Sequence, residues 1–472
     1  MNLRRFKKVG VCMGAAGVLT LLPGCASSPS PSNHPTSRTQ SGIPWVTLPA
    51  SSAASNVVTS DWQNFFADPR LKELIGWALN GNSDLRLAVL NIDQARAQWQ
   101  LREADLWPSV SAGLGGSRQA SAGGRLSQST SVGLQLSGFE LDLFSRVREQ
   151  NQAAALQVRA TEEAKKAVQA SLVASVALAY WTLNIDEAVL RAAHEALSTR
   201  EESHRLVQLK AQWGASSAQD VQVAVTLKEA ARQALHQARR QRALDQHALN
   251  QLVGRPVPDH LMPGTEAIDP SWVPALETSL SSDLLLRRPD VQQAEFTLKA
   301  AQANLAAARA AFFPKILLTG AVGSVSTDLT GLLRSGTWGW SVAPQMLQSI
   351  FDGGRNQATL ELAHTSRDLA LTQYDKAIQT AFREAADALA VRSFWQAQVN
   401  SLHQAHAAEQ ERLTLGTLKF KNGAISQLDL LELQRSAIAA RVSWLQAQGY
   451  LAQSAISLYR ALGGGWSSSS PR

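Results

Sequence analysis

Apolar and polar positions alternate in two regions of the chain, and each region predicts a pair of β-strands. Val132, Leu134 and Leu136 share one face of an extended segment, whereas glycine, glutamine and serine occupy the other. Small residues on the polar face are typical of a membrane barrel with lipid outside and water inside, although a soluble sandwich would show similar alternation. The pattern predicts two hairpins with strands at about 109–122, 128–140, 315–326 and 336–348.

A long stretch of helical periodicity follows each hairpin. No proline or glycine interrupts residues 146–213, and the corresponding stretch 356–421 contains only Gly416. A helix of about 65 residues is ~100 Å long. The shorter predicted helices, at about 83–106 (begun by a Ser83 cap) and 217–253, would match that length if stacked end to end. Each half of the chain therefore predicts two full-length helical rods.

The order helix, paired strands, long helix, helix occurs twice, which indicates an internal duplication. Asn82 to Leu85 recurs as Arg288 to Val291 after 206 positions. Gly214 recurs as Gly423 after 209 positions. The predicted organisation is a first structural repeat at 61–253, an inter-repeat connection at 254–287 and a second structural repeat at 288–463.

The two ends of the chain have different patterns. Residues 1–24 predict a secretory signal peptide, because a basic start precedes an apolar run. The run ends in Leu22-Pro23-Gly24-Cys25, which resembles the bacterial lipobox. In that motif Cys25 becomes the lipidated first residue, with diacylglycerol and an N-acyl chain, and Ala26 favours the outer membrane. An ordinary cleavage site is the alternative. Residues 25–60 predict a lipid-anchored Ser/Pro-rich tether, and 464–472 a flexible tail.

Charge and composition argue against several classes of function. The formal net charge of +7 falls to +3 without the four signal-peptide cations, and the arginines at 232–242 lie in a helix without aromatic residues, so we expect no nucleic-acid partner. His403 and His406 have ligand spacing but no third ligand. The sequence contains no phosphate-binding loop and no nucleophile–base motif. We therefore expect no metal, no bound cofactor and no enzyme activity.

Four strands cannot close a membrane barrel within one chain, because open strand edges are not tolerated in lipid. Two chains would supply eight strands and three chains twelve. Eight strands leave an interior filled by side chains, whereas a wider barrel leaves a water channel. The small residues on the presumed inner face therefore favour three chains.

The order and spacing of several motifs are similar to those of TolC-like outer-membrane efflux proteins, especially the lipidated OprM- and NodT-type branch. The resemblance covers about 61–463. The matching residues are Asp61-Trp62 with Phe65, Asp68-Pro69 and Leu71, Asn82 to Leu85, Ala95-Arg96, Arg287 to Val291, Ala308-Arg309, Phe312 to Pro314, Phe351 to Arg355, Gly423 and Leu428-Asp429.

The resemblance implies a membrane α+β fold: a homotrimer whose 12-stranded β-barrel in the outer membrane continues into a 12-helix α-barrel in the periplasm. It implies a passive exit duct of a tripartite efflux system, which exports drugs or other small toxic compounds. The implied partners are a periplasmic adaptor protein and an inner-membrane pump.

The resemblance also implies two functional regions at the periplasmic tip. Gly214 and Gly423, at the helix-to-helix turns, are implied to meet the adaptor. Leu428 and Glu432 lie one helical turn apart, and three copies would form a leucine ring and a carboxylate ring that close the duct. Arg435 would hold the closed state by pairing with a carboxylate. A core Leu428 and an ordinary surface Glu432 are the alternative.

The first repeat differs at these positions, where it has Gln219 and Val223. Only the second repeat therefore supplies a charge to the predicted aperture. Two other classes of function stay open on the residues alone. One is a periplasmic coiled-coil scaffold without a pore, and the other is an adaptor lipoprotein, which should have a single helical hairpin beside a lipoyl-like domain.

Overall fold

The computed structural model describes residues 61–120, 126–263, 282–332 and 334–464. All of them belong to one compact unit, which spans residues 43–472. The predicted signal peptide, Cys25 and nearly all of the predicted tail lie outside the described residues. The first repeat contains α1 (Trp62–Phe65), α2 (Pro69–Gly81), α3 (Ser83–Ala104), β1 (Val110–Ala120), β2 (Leu126–Leu141), α4 (Arg146–Gln212) and α5 (Ala218–Val253). The second contains α6 (Ser282–Leu286), α7 (Pro289–Ala310), β3 (Lys315–Ser326), β4 (Trp338–Leu347), α8 (Arg355–Lys421) and α9 (Gln427–Ala461).

The observed strands begin and end within two residues of the predicted bounds, but one detail of the prediction is wrong. Asn82, not Ser83, caps α3: its side-chain oxygen accepts hydrogen bonds from the backbone N–H groups of Asp84 and Leu85 at 2.9 and 3.1 Å. The two predicted hairpins join, because β2 pairs with β3. All four strands form one antiparallel sheet in the order β1-β2-β3-β4.

The strand register aligns apolar residues across the whole sheet. Ala112, Leu134, Val322 and Trp340 are successive partners, so they lie on one face. Trp340 is 78% exposed in the protomer, which excludes a buried core role for it there. This face is the apolar face predicted from the alternation.

A row of glycines crosses the sheet beside these apolar residues. Each glycine is the chain neighbour of one of them and therefore lies on the opposite face of the sheet. Gly113, Gly133, Gly323 and Gly339 are successive partners in β1 to β4. A β-carbon at Gly133 would lie less than 3.0 Å from the carbonyl oxygen of the neighbouring strand, and Gly323 is equally restricted. The two central positions therefore require glycine, whose absent side chain lets the strands approach closely and bend.

The helices pack around α4. This helix contacts α3, α5, α7 and α9, while α8 contacts α7 and α9. Part of α4 is long and apolar enough to cross a membrane by composition, but more than half of that stretch is buried inside the unit, as in a core helix.

The main core lies where α1, α2 and α9 meet α4. Phe65 stacks on Tyr459 with ring centroids 4.2 Å apart. The Tyr180 hydroxyl donates to Asp68 at 2.6 Å, and Asp68 in turn caps α2 by accepting from the Arg70 backbone N–H. Asp68 is buried, so its satisfied hydrogen bonds favour this arrangement of the helices.

The duplicated landmarks make equivalent contacts in both repeats. The Asn82 side chain donates to the carbonyl oxygen of Leu252 at 3.0 Å, near the end of α5. The Arg288 guanidinium donates to the carbonyl oxygen of Ala461 at 2.7 Å, at the end of α9. Both contacts satisfy a carbonyl of a last helical turn, which lacks a partner within the helix. Arg288 also pairs with Asp290 and Glu384. The second repeat therefore satisfies its helix end with a charged guanidinium, whereas the first repeat uses a neutral amide.

Candidate functional site

The two helix-to-helix turns have the same backbone geometry. Gly214 and Gly423 follow α4 and α8 with φ of 73° and 72°. The Ala215 N–H donates to the carbonyl oxygen of Lys210 at 2.8 Å, and the Ala424 N–H donates to that of Lys419 at 2.9 Å. Such bonds close a helix that ends at a left-handed glycine. The predicted turns are therefore at the predicted glycines.

The helix after each turn begins with a capping box. In α5 the Ser217 hydroxyl accepts from the Asp220 N–H at 3.1 Å, and the Asp220 carboxylate accepts from the Ser217 N–H at 2.9 Å. Ser426 and Asp429 make the matching pair of bonds in α9. The serine hydrogen bonds hold the pKa of both aspartates below the usual value. Both turns are therefore closed by local hydrogen bonds.

The two turns lie side by side. Lys210 of α4 places its ammonium 5.2 Å from the ring centroid of Phe420 in α8, a cation–π distance. Trp213 is 86% exposed at the end of α4. None of these three residues was predicted from the sequence, although the tryptophan directly before the turn glycine is visible there.

The predicted aperture residues form one exposed stripe on α9. Leu428 is 57% exposed, which excludes a core role in the protomer, whereas Leu430 and Leu431 on the other face are buried. Glu432 and Arg435 continue the stripe at helical spacing. In the first repeat Gln219 is exposed and Val223 half-buried, so that repeat presents no charge at the matching places.

Glu432 and Arg435 form a bidentate ion pair. The guanidinium donates to the two carboxylate oxygens at 2.9 and 2.5 Å. These hydrogen bonds, with the charges of Arg435, Arg200 and Arg412, lower the pKa of Glu432 and keep it ionised. The carboxylate is therefore already paired with a cation of its own helix.

Arg200 lies behind this stripe and was not predicted from the sequence. It belongs to α4, is 5% exposed, and donates through Nη2 to the carbonyl oxygen of Leu431 at 2.9 Å. Its Nη1 is buried and has no acceptor among the described residues. Burial lowers the pKa of Arg200, while the charge of Glu432 opposes that effect.

The candidate metal ligands contact a tryptophan. The rings of His403 and His406 both lie 5.2 Å from the ring of Trp444, measured between centroids. Within the described ranges no three His, Cys, Asp or Glu side chains are close enough to hold a metal ion. Both histidines of α8 therefore pack against Trp444 of α9.

The chain is similar to proteins of known class. The family model described as outer membrane efflux protein matches residues 74–255 and 280–464. The toluene efflux pump outer membrane protein TtgC of Pseudomonas putida is 39% identical over 426 residues, covering 89% of this chain and 88% of that protein. Outer membrane protein OprJ of Pseudomonas aeruginosa is 37% identical over 431 residues, covering 89% and 90%.

Solved structures of outer membrane channels share the fold. The open state of the Neisseria gonorrhoeae MtrE outer membrane channel has a TM-score of 0.81 and 38% identity, covering 89% of this chain and 95% of that chain. A structure of CusC has a TM-score of 0.81 and 34% identity, covering 90% and 98%.

Proposed function

This chain belongs to the outer membrane efflux protein family, and from that premise we propose which of its parts form the wall, the gate and the docking end of the duct. The protein is an outer-membrane exit duct of an efflux pump and extends into the periplasm. The family consists of channels rather than enzymes, and we propose a passive conduit without catalysis.

The wall is proposed to come from three copies of the chain. The observation that carries this proposal is the pair of open edges, β1 and β4, whose residues are exposed throughout. In lipid those edges must pair with strands of other copies. Twelve strands would leave a channel, whereas eight would fill with side chains.

Exposed apolar side chains on the helices support the same assembly. Leu87, Leu90 and Leu101 protrude from α3, a helix that packs on α4. Leu362, Leu369 and Phe394 protrude from α8. In chain order α3 directly precedes β1 and α8 directly follows β4, so each helix adjoins one of the two open edge strands. Apolar faces of this extent require cover, and contact between α3 of one copy and α8 of the next supplies it.

The stoichiometry is the test of the proposed wall. Light scattering of the detergent-purified protein, corrected for bound detergent, should give three chains per particle, and planar bilayers should show ion conductance. A particle of one or two chains with no conductance would favour the coiled-coil scaffold instead.

The gate is proposed to be the stripe Leu428, Glu432 and Arg435. In three copies it would present a ring of leucines and a ring of carboxylates, each carboxylate held by its own arginine. A ring of this kind narrows the duct with apolar side chains and fixes its charge. Arg435 would hold Glu432 in the closed arrangement.

Replacing Glu432 with alanine tests this gate. The Glu432→Ala protein should show higher closed-state conductance in planar bilayers, because Arg435 loses its partner. Glu202→Ala is the matched control: Glu202 and Arg205 form the same bidentate pair on α4, and the side-chain exposures of the two pairs are the same, 54% and 63%. Equal conductance of Glu432→Ala and wild type would remove the gate assignment.

The docking end is proposed to be the pair of turns at Gly214 and Gly423, together with the exposed Trp213 at the end of α4. The proposed partners there are a periplasmic adaptor protein and, through it, an inner-membrane pump. The support is the family, whose members are components of efflux pumps, and the closed, exposed geometry of both turns.

The cargo and the anchor are also proposals. Relatives are named for toluene, solvent and antibiotic efflux, and we propose drugs or other small toxic compounds as the class exported here. Cys25 is proposed to carry a diacylglycerol and an N-acyl chain that hold the chain at the outer membrane. The lipobox-like sequence that ends at Cys25 supports this anchor.

A further inference from the structure

Four of the contacts between the antiparallel helices α4 and α9 follow one another along their length. They begin near the core and end near the turns. The pairs, in order, are Thr182 with Gln453, Ile185 with Gly449, Glu195 with Arg441, and Arg200 with Leu431. The contact of Arg200 with Leu431 is the last of these before the turns, and it reaches the helix segment that carries the aperture stripe.

The Arg200 contact differs from the others in what it binds. Its acceptor is a backbone carbonyl, whereas Gln453 and Arg441 bind side chains. A bond to the backbone fixes the helix itself rather than one flexible side chain. Successive residues of an α-helix are rotated by about 100°, so holding the Leu431 carbonyl also fixes the direction in which Glu432 points.

We propose that Arg200 is a positioning residue of the aperture, which fixes the rotation of α9 so that Leu428, Glu432 and Arg435 face the duct. This inference rests on the proposed gate. Arg200 does not line the duct, since it is buried. It acts from behind, through the backbone of Leu431 and through its charge, which lies near Glu432.

Stability alone does not explain an arginine at this position. A buried guanidinium loses its hydration, and Nη1 has no acceptor within the described part of the chain. An apolar side chain of similar length would fill the space without that loss. A residue retained at the expense of stability is expected where position or charge matters to function.

The test compares two variants with a control on the same helix. Arg200→Met removes both the hydrogen-bond donor and the charge, whereas Arg200→Lys keeps the charge but lacks the planar guanidinium. The control, Arg205→Met, removes an exposed arginine that pairs within α4. We expect about a tenfold rise in open probability for Arg200→Met, the effect of one hydrogen bond from a charged donor. Arg200→Lys should fall between Arg200→Met and wild type, and Arg205→Met should match wild type.

The pH profile separates positioning from packing. The cations that face Glu432 are Arg435 on α9, Arg200 on α4 and Arg412 on α8, and all three lower its pKa. Protonation of Glu432 on acidification should weaken its pair with Arg435 and raise the conductance. Without Arg200 the pKa of Glu432 rises, so this increase should begin at a higher pH in Arg200→Met than in wild type. Arg200→Lys keeps the charge and should keep the wild-type midpoint.

The outcomes distinguish this inference from the gate on which it rests. If Glu432→Ala leaves conductance unchanged, the gate itself is wrong. If Glu432→Ala opens the channel while Arg200→Met lowers only the thermal midpoint, Arg200 is a packing residue and the inference fails. If Arg200→Met does not fold, Arg200→Lys still decides the matter, because wild-type closed conductance from that variant would contradict a positioning role.

Discussion

Single residues show how closely the two repeats match, and where one of them is strained. Ser145 precedes α4 with φ of 64° and is the one non-glycine at positive φ in the described part of the chain. Gly354 precedes α8 with φ of 86°, at the position 209 residues later. The first repeat therefore holds a serine where the backbone favours glycine.

We expect Ser145→Gly to stabilise the protein modestly. A left-handed non-glycine residue costs about 1–2 kcal/mol. The entropy lost by an added glycine, about 0.5–1 kcal/mol, and the lost hydrogen bond from the exposed Arg148 side chain offset part of the gain. The thermal unfolding midpoint should rise. Ser145→Ala keeps the strain and loses the hydrogen bond from Arg148, so its midpoint should fall; a fall for glycine as well would show that the hydroxyl matters more than the backbone.

The raised pKa of Asp186 predicts that the stability of the folded protein depends on pH. Desolvation, the hydrogen bond with Asp245 and the nearby negative charges raise its pKa from 3.8 to about 7. The folded state favours the protonated form of Asp186. The stabilisation of the folded state by this protonation is therefore fully present below pH 3.8 and is lost as the pH rises to about 7. Unfolding midpoints measured across that range should show the decline.

Asp186→Asn removes this proton equilibrium and should flatten the profile. Asn retains a polar group for Asp245, so the packing between α4 and α5 is kept. Asp93→Asn, an exposed change on α3, is the control and should leave the profile as in wild type. A decline of undiminished slope in Asp186→Asn would assign the pH dependence to other groups.

At the scale of helices, close packing of α4 on α9 depends on Gly449. A β-carbon there would lie less than 3.0 Å from the Ile185 side chain. Gly449→Ala should therefore destabilise by about 1–3 kcal/mol, the usual effect of overpacking. Gly76→Ala is the matched control, because that helical glycine has open space around it and alanine favours the helix there.

Adding Ile185→Ala tests the mechanism. It removes the atoms that the new methyl group meets, so the double variant should be more stable than the sum of the two single effects, measured by thermal unfolding. Additive effects would show that Gly449 serves the helix in another way.

The elements could be predicted from the sequence because their signals are local. Alternation located the strands, uninterrupted 3/4 periodicity located α4 and α8, and the turn glycines Gly214 and Gly423 marked their ends. The cap of α3 was misplaced by one residue, because Asn82 and Ser83 are both common caps and lie side by side. The register between β2 and β3 could not be predicted, since it depends on chain segments that lie far apart in the sequence.

Separation along the chain also determines which residues of the candidate site the sequence reveals. The stripe Leu428, Glu432 and Arg435 lies within two turns of one helix, so its spacing is visible in the sequence. Arg200 and Leu431 are 231 residues apart, and the acceptor is a carbonyl that every residue has. No sequence pattern marks such a bond; it becomes visible only when α4 and α9 are known to be neighbours.

At the scale of the whole molecule, the duplication gives two similar halves that differ where function requires a difference. The turns and capping boxes match in both repeats. The carboxylate and the arginine of the proposed gate occur only in the second. Three copies would therefore present six similar turns to partners but three charged positions to the duct.

The open strand edges of the protomer also have a consequence for how the channel forms. A wall made from three chains cannot close until three chains meet, so its rate of closure depends steeply on local concentration. An acyl group at Cys25, proposed above, would confine the chains to one membrane surface before closure and replace a search through a volume by a search in a plane. The anchor would then matter most before the channel exists, as an aid to encounter, and least once the barrel is complete.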